Sequence, residues 1–272
     1  MAEETVRRNI TLTLQRRLQR TVFNWRTFRM VISVFLFFFI WYLLVQFKVW
    51  RFERIPNPIE AVRQFFFFAT SGIYYRHMYY SLSRIFITFI AATLLGVPLG
   101  ILMGWNKTIN NFVFPIVEML RPIPPIAWVP VAILVFASQN VSIIFVTFLA
   151  SFFATVLNTM LGVDSIETNY YRAAKCLGAT PRDILRHVVV PGAMPSIFAG
   201  LTLGVGLAWF SLVGAEMIAG EYGLGYMVYE GYTLVIFSQI IVGMFTIGFL
   251  GYASSALVRK VGSRLMAWRA AW

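Results

Sequence analysis

Tyr171-Arg172-Ala173-Ala174-Lys175-Cys176-Leu177-Gly178-Ala179-Thr180-Pro181-Arg182-Asp183-Ile184-Leu185-Arg186-His187-Val188-Val189-Val190-Pro191 is a basic, helix-forming stretch set between two long apolar runs. Arg172 to Leu177 favour helix, and Gly178 is placed to close that helix at its C-terminal end. Thr180-Pro181-Arg182-Asp183 reads as a second start. Thr180 is the expected N-cap, Pro181 the first helical residue, and Asp183 the acidic member of a capping box. The spacing predicts helix, glycine turn, helix, ending at Pro191. Such a pair fits a solvated connector between its two neighbours. It equally fits a structured loop that receives work from a soluble partner.

The flanking runs set the fold class. Of the 272 residues, 59% are hydrophobic and 17% aromatic, and the mean hydropathy is +0.72. Soluble domains are about 45–50% apolar, and here the excess is gathered into runs near the length of a bilayer span. Six transmembrane helices are expected, at about 30–47, 82–104, 111–137, 141–162, 195–218 and 234–257. The fold class is therefore all-α polytopic membrane protein. One six-span domain over 30–258 lies between a basic segment, 1–29, and a basic tail, 259–272, with the opening loop occupying about 163–192. The first run follows a long polar stretch and has no small-residue cleavage site, so it reads as a retained span.

Local breaks refine this outline. Ile55-Pro56-Asn57-Pro58 interrupts any helix, and Pro58 suits the first turn of a short helix starting near Ile59. The aromatic stretch that follows, from Phe65 to Tyr80, suits the membrane interface. Gly96, Pro98, Gly100 and Gly104 favour close packing or a bend, and a tight loop is expected at 105–110. Gly204 and Gly206 suit close helix contact at a subunit interface, or else a place in a pathway.

The net charge is +12. In a soluble domain that would suggest nucleic acid, but basic loops of a membrane protein bind anionic lipid instead. With the N-terminus inside, sixteen of the 23 lysines and arginines fall on the inner side. Lys48, Arg51, Arg54, Arg63, Arg76 and Arg84 fall outside, and Arg121 is left within the membrane. Both termini and the opening loop are thus expected in the cytosol. Residues 1–29 read as an amphipathic helix on the inner leaflet or as a basic tail.

Catalytic chemistry has no visible seat. The single cysteine, Cys176, excludes an intrachain disulfide, and His77 and His187 are far apart, with no metal-ligand cluster. His187 reads as a surface residue of the loop. No G-x-x-x-x-G-K-[ST] motif and no Ser/His/Asp set is present, so the chain is not read as an enzyme. If ATP drives it, ATP and Mg sit on another polypeptide.

Two sets of residues are candidates for handling a solute. Arg121, about ten residues into the third span, is near the midplane at roughly 15 Å depth. Its guanidinium suits an oxyanion, or it pairs with Glu118 three residues back. Pro122, Pro124 and Pro125 free backbone groups that lipid cannot satisfy, which favours a cavity lining. Trp128 is a pathway wall or a packing residue. Glu216 lies near the outer end of the fifth span, too far in depth to pair with Arg121. With Gly223 and Gly225 it belongs to an outer gate or docking surface, or is an interfacial carboxylate in a hydrogen-bonded turn.

Arg172-Ala173-Ala174, Gly178 and Pro191 resemble the "EAA" loop of bacterial ABC importer permeases. Arg172 stands where that motif has glutamate, and Val188 and Val190 replace its isoleucine and leucine. Leu120 to Pro130 is similar to a segment of the nitrate/sulfonate/taurine/bicarbonate branch, where an Arg-Ala-Ala loop is familiar. Ile55 to Pro58, Ala215 to Ala219, Gly223 to Met227 and Ala267 to Arg269 look like the same branch. The resemblance implies a type I importer fold, two permease subunits, two ATPase subunits and an external substrate-binding protein. It implies an ATPase-coupling helix at Arg172, Ala173, Ala174, Gly178, Pro181, Arg182 and Asp183. It also implies a place in the bacterial inner membrane and a small anion as cargo. The alternative is a stand-alone secondary carrier, which would carry coupling carboxylates at mid-depth and paired broken helices.

Overall fold

Asn57 accepts a hydrogen bond from the Glu60 amide at 2.8 Å and so caps a helix that begins at Pro58, as the Pro-Asn-Pro break leads one to expect. The computed structural model describes residues 25–47, 55–266 and 268. Most of the expected N-terminal basic segment, including Arg7, Arg8, Arg16, Arg17 and Arg20, lies outside the described residues, as do Lys48, Arg51, Arg54 and Arg269. In order, the helices are α1 (Trp25–Gln46), α2 (Pro58–Ala69), α3 (Gly72–Trp105), α4 (Lys107–Leu120), α5 (Val129–Val135), α6 (Gln139–Asp164), α7 (Thr168–Cys176), α8 (Pro181–Ile184), α9 (Val190–Ala219), α10 (Leu224–Thr233) and α11 (Phe237–Leu265).

The described residues divide into two compact units, one ending at Arg63 and the other beginning at Gln64. The first expected span falls in the first unit, within the 22-residue helix α1, which includes the apolar stretch Ile32–Gln46. In the second unit four helices are long and apolar enough to cross a membrane: α3, α6, the run from α8 through α9, and α11. A fifth crossing exists if α4 and Pro125–Val135 count as one span, and that pair is bent by 88°. The third expected span is therefore a sharp corner at its proline cluster. The second expected span starts earlier than read, because the tyrosine-rich stretch from Gly72 is already helical. The expected loop at 105–110 contracts to Asn106 alone, whose side chain accepts from the Thr108 and Ile109 amides and caps α4.

Helix α6 is the axis of the second unit, packed along α3 on one side and α9 on the other. Lipid offers no hydrophobic drive for helices to associate, so close backbone approach and hydrogen bonds hold them together. A Cβ at Gly100 would stand 2.6 Å from Thr159 Cβ and from the Val156 carbonyl oxygen of α6. A Cβ at Gly204 of α9 would stand 2.8 Å from Ser151 Oγ, also of α6. Gly204 thus serves contact within the chain and not the subunit interface expected from the sequence. Gly206 faces open space, with nothing within 4 Å.

Candidate functional site

The opening stretch folds as helix, glycine turn, helix. Helix α7 closes with Gly178 at φ +80°, while the Gly178 amide donates to Lys175 O and the Ala179 amide to Ala174 O. That pair of bonds is a Schellman cap, and it requires the left-handed residue that glycine supplies. Thr180 then caps α8 reciprocally with Asp183: the Asp183 amide donates to Thr180 Oγ1, and the Thr180 amide donates to Asp183 Oδ2. Pro181 occupies the first turn.

The two faces of this pair differ. Arg172, Ala173, Lys175, Gly178, Pro181, Arg182 and Asp183 are exposed, and Leu177 is 88% exposed at the tip. Ile184 and Val189 are buried, with Tyr171, Ala174 and Val188 packed against the same core. Burying two such aliphatic side chains stabilises the root by about 1.5–3 kcal/mol each. His187 is exposed, with Nδ1 against the Asp183 carbonyl at 3.0 Å. Between α8 and α9 lies a π turn, Leu185–Val189, in which the Val190 amide reaches back to Leu185 O. The shift in ladder falls just before Pro191, which has no amide to give.

At the other end of α9 is a buried polar cluster. Glu216 has no solvent exposure. Its Oε1 accepts from Arg84 Nη1 at 2.8 Å, its Oε2 accepts from the Gly225 amide at 2.9 Å, and Ser81 Oγ lies 2.9 Å from both oxygens. Arg84 Nε donates to Asn140 Oδ1 at 2.7 Å and Arg84 Nη1 to the Tyr222 carbonyl at 2.7 Å. Ser81 Oγ also accepts from the Leu224 amide, and His77 Nδ1 accepts from the Gly223 amide at 3.1 Å. Both carboxylate oxygens are engaged and Arg84 donates through Nε and Nη1, bonding of the kind that makes a buried pair tolerable in a low dielectric. Together they tie α3, α6 and α9 to the turn at 220–225. Gly223 has φ +139°, and a Cβ there would overlap the Glu216 carboxylate.

Aromatic groups cover this cluster. Tyr80 stacks on Tyr222 at 5.3 Å between ring centres, Arg76 lies 4.1 Å over the Tyr222 ring, and His77 stacks near Tyr226.

The corner residues sit apart from this cluster. Arg121 is the residue that ends α4, and its side chain is 47% exposed. Its Nη2 donates to Glu118 Oε1 at 2.7 Å, so the expected i,i+3 pair is formed. Pro122 and Pro124 are exposed, Pro125 opens a short 3-10 turn to Trp128, and half-buried Trp128 packs on the core. The corner is seated on α9 through Ile126, whose Cδ1 would stand 2.5 Å from a Cβ at Gly214.

Glu216 does not pair with Arg121, as expected from depth; its partner is Arg84. Arg84 is 4% exposed inside α3, so it is not a cation of an outer segment. The signal that would have found it is periodicity: His77, Ser81, Arg84 and Thr88 recur at helical spacing on one face of an apolar run, and all four are buried. Asn140 and the Tyr222 carbonyl have no comparable signature. Among the described residues no group of three or more His, Cys, Asp or Glu side chains is placed to hold a metal.

Residues 96–267 match the family described as binding-protein-dependent transport system inner membrane component. The chain is 32% identical over 223 residues to the nitrate import permease protein NrtB of Synechococcus elongatus, covering 77% of this chain and 80% of that protein. It is 35% identical over 194 residues to the taurine transport system permease protein TauC of Escherichia coli, covering 71% of this chain and 70% of that one. Its fold matches a chain from an inward-facing structure of the MetNI methionine ABC transporter with a TM-score of 0.56 at 22% identity, over 72% of this chain and 95% of that chain.

Proposed function

The chain belongs to the family of binding-protein-dependent transport system inner membrane components, and we propose that it is the membrane-spanning permease subunit of an ATP-driven importer for a small oxyanion. The observation that carries this reading is the capped, exposed helix pair at 168–184, pinned at its root by Ile184 and Val189 and presenting Leu177 and Gly178 outward. Two separate ATPase subunits bind ATP and Mg and supply the work. This chain supplies the lever and the path. A second copy completes the pathway, and an external binding protein delivers the solute. The protein resides in the cytoplasmic (inner) membrane of a bacterium with both termini inside, an orientation supported by the bias of basic residues.

In this reading the lever is α9. A push on the loop enters α9 through the π turn at Leu185–Val189. Over 30 residues α9 carries it about 45 Å. Gly214 passes it to the proline corner through Ile126, and Glu216 passes it to α3, α6 and the outer turn. The loop is suited to transmit force because both of its turns are locked by caps.

The cargo is of the nitrate, taurine, alkanesulfonate or bicarbonate type. NrtB and TauC are named for nitrate and taurine, and both of those solutes present a compact oxyanion. Arg121 is the contact we assign to it. One nitrogen engages Glu118, which leaves other guanidinium donors for a bidentate partner. Uptake of labelled nitrate, taurine, an alkanesulfonate and bicarbonate, compared in cells with and without the chain, tests the assignment. Loss of uptake of one of these anions supports it. Unchanged uptake of all four, with loss of a cationic or neutral solute instead, overturns it.

A further inference from the structure

Two aromatic contacts join helices α9 and α11. Near the C-terminal end of α11 the Phe198 ring lies over Gly262, where a Cβ would stand 2.8 Å from the ring. Farther along, Trp209 lies against Gly251 and donates from Nε1 to Ser254 Oγ at 2.9 Å. From Phe198 to Trp209 is about 16 Å along the helix. An open groove of about 630 Å³ runs along the two helices from Pro195 and Met266, past the Phe198–Gly262 contact, to Leu207 and Ser255.

Its lining has two chemical characters. Phe198, Leu203, Leu207 and Met266 are apolar, and Leu203 and Leu207 are exposed. Gly206 widens the floor, since a Cβ there meets nothing within 4 Å. Arg259 and Ser255, four residues apart on one face of α11, supply polar donors. Among the described residues Arg259 has no ion-pair partner; the Tyr252 ring lies 6.0 Å from its guanidinium carbon. From Arg259 to the end of α11 at Leu265 is about 9 Å, which suits the boundary between headgroups and acyl chains.

A groove facing a bilayer is filled, because an empty one forfeits the contacts of its lining. The occupant has to bring hydrocarbon for the leucines and an oxyanion for the guanidinium. A phospholipid with net negative charge brings both. A second copy of this chain, meeting this face with its own, brings hydrocarbon but no anion for Arg259. Helix α11 contains no acidic residue, and the one acid of α9, Glu216, is buried and paired. Such a contact would set Arg259, Lys260 and Arg264 against like charge.

We propose that the α9–α11 groove binds an anionic phospholipid, its phosphate on Arg259 and Ser255 and one acyl chain along Leu203, Gly206 and Leu207. The lipid comes from the leaflet entered by the C-terminal end of α11. That this leaflet is the cytoplasmic one rests on the orientation proposed above.

Native mass spectrometry of the full chain, purified with the subunits that accompany it and titrated with phosphatidylglycerol or phosphatidylcholine, tests the site without relying on uptake. The expected result is preferential retention of phosphatidylglycerol. Arg259→Gln lowers that retention about tenfold, a loss of roughly 1.4 kcal/mol, while Arg264→Gln leaves it unchanged. Gly206→Phe, which fills the groove without changing charge, lowers retention of both lipids. Equal retention by wild type, Arg259→Gln and Gly206→Phe overturns the proposal. So does displacement of the lipid signal by nitrate or taurine, which would make the groove part of the solute path. Loss of the permease dimer in Gly206→Phe with lipid retention intact also overturns it, and would make the groove a copy-to-copy contact.

Discussion

Arg84 and Glu216 stand 132 positions apart in the chain and meet at 2.8 Å with side chains 5% and 0% exposed. Removing one partner leaves a buried charge without its counterion, at a cost of about 3–5 kcal/mol. Arg84→Gln or Glu216→Gln is expected to lower the thermal midpoint of the purified protein sharply. Replacing both by methionine is expected to cost less than the sum of the single changes, because neither charge is then stranded. Additive losses in that cycle would show that the two residues act separately.

Gly223 gives a steric counterpart to that electrostatic test. Its φ of +139° disfavours a side chain, and a Cβ would overlap the Glu216 carboxylate. Gly223→Ala is expected to displace the turn and to destabilise the protein nearly as much as loss of Glu216. Gly206→Ala, where a Cβ meets open space, is the control and is expected to be tolerated. A wild-type midpoint for Gly223→Ala would mean that the turn is not held by Glu216.

Gly178 tests the proposed coupling role apart from folding. Its left-handed conformation costs an ordinary residue about 1–2 kcal/mol, and asparagine less. Gly178→Asn is expected to retain most uptake. Gly178→Trp is expected to leave the chain in the membrane but to abolish uptake, either by preventing the ATPase from docking or by letting ATP hydrolysis run without transport. Wild-type uptake by the tryptophan variant would remove the coupling role.

Arg121 decides between two uses of one guanidinium. Arg121→Ala is expected to reduce anion uptake at least tenfold, about 1.4 kcal/mol, with assembly intact. Arg121→Lys keeps the charge but not the planar fork, so intermediate uptake is expected. A loss of assembly in Arg121→Ala that Glu118→Ala reproduces would make the pair structural.

What was legible in the sequence was local. Gly178, Thr180, Pro181 and Asp183 each make bonds within a few residues, so their spacing spelled out the helix pair before any packing was known. The proline cluster likewise announced a break, although not its 88° angle. The polar cluster at Glu216 was only half legible. Its glycine turn was visible, but Arg84 and Asn140 reach it through the packing of α3, α6 and α9, and no spacing encodes that meeting. The interfacial character of Tyr74 to Tyr80 overlies, and so masks in the sequence, the helical stripe of His77, Ser81, Arg84 and Thr88. Gly204 is ambiguous in the sequence, because a glycine that admits a neighbouring helix does not say whose helix it is.

ATP-dependent uptake in proteoliposomes holding this chain, with and without the proposed ATPase subunits and with the proposed external binding protein supplied, tests the importer reading directly. Anion uptake is expected only when the ATPase and ATP are both present, and is abolished by Gly178→Trp. Uptake by this chain alone, driven by an ion gradient and indifferent to ATP, would contradict it.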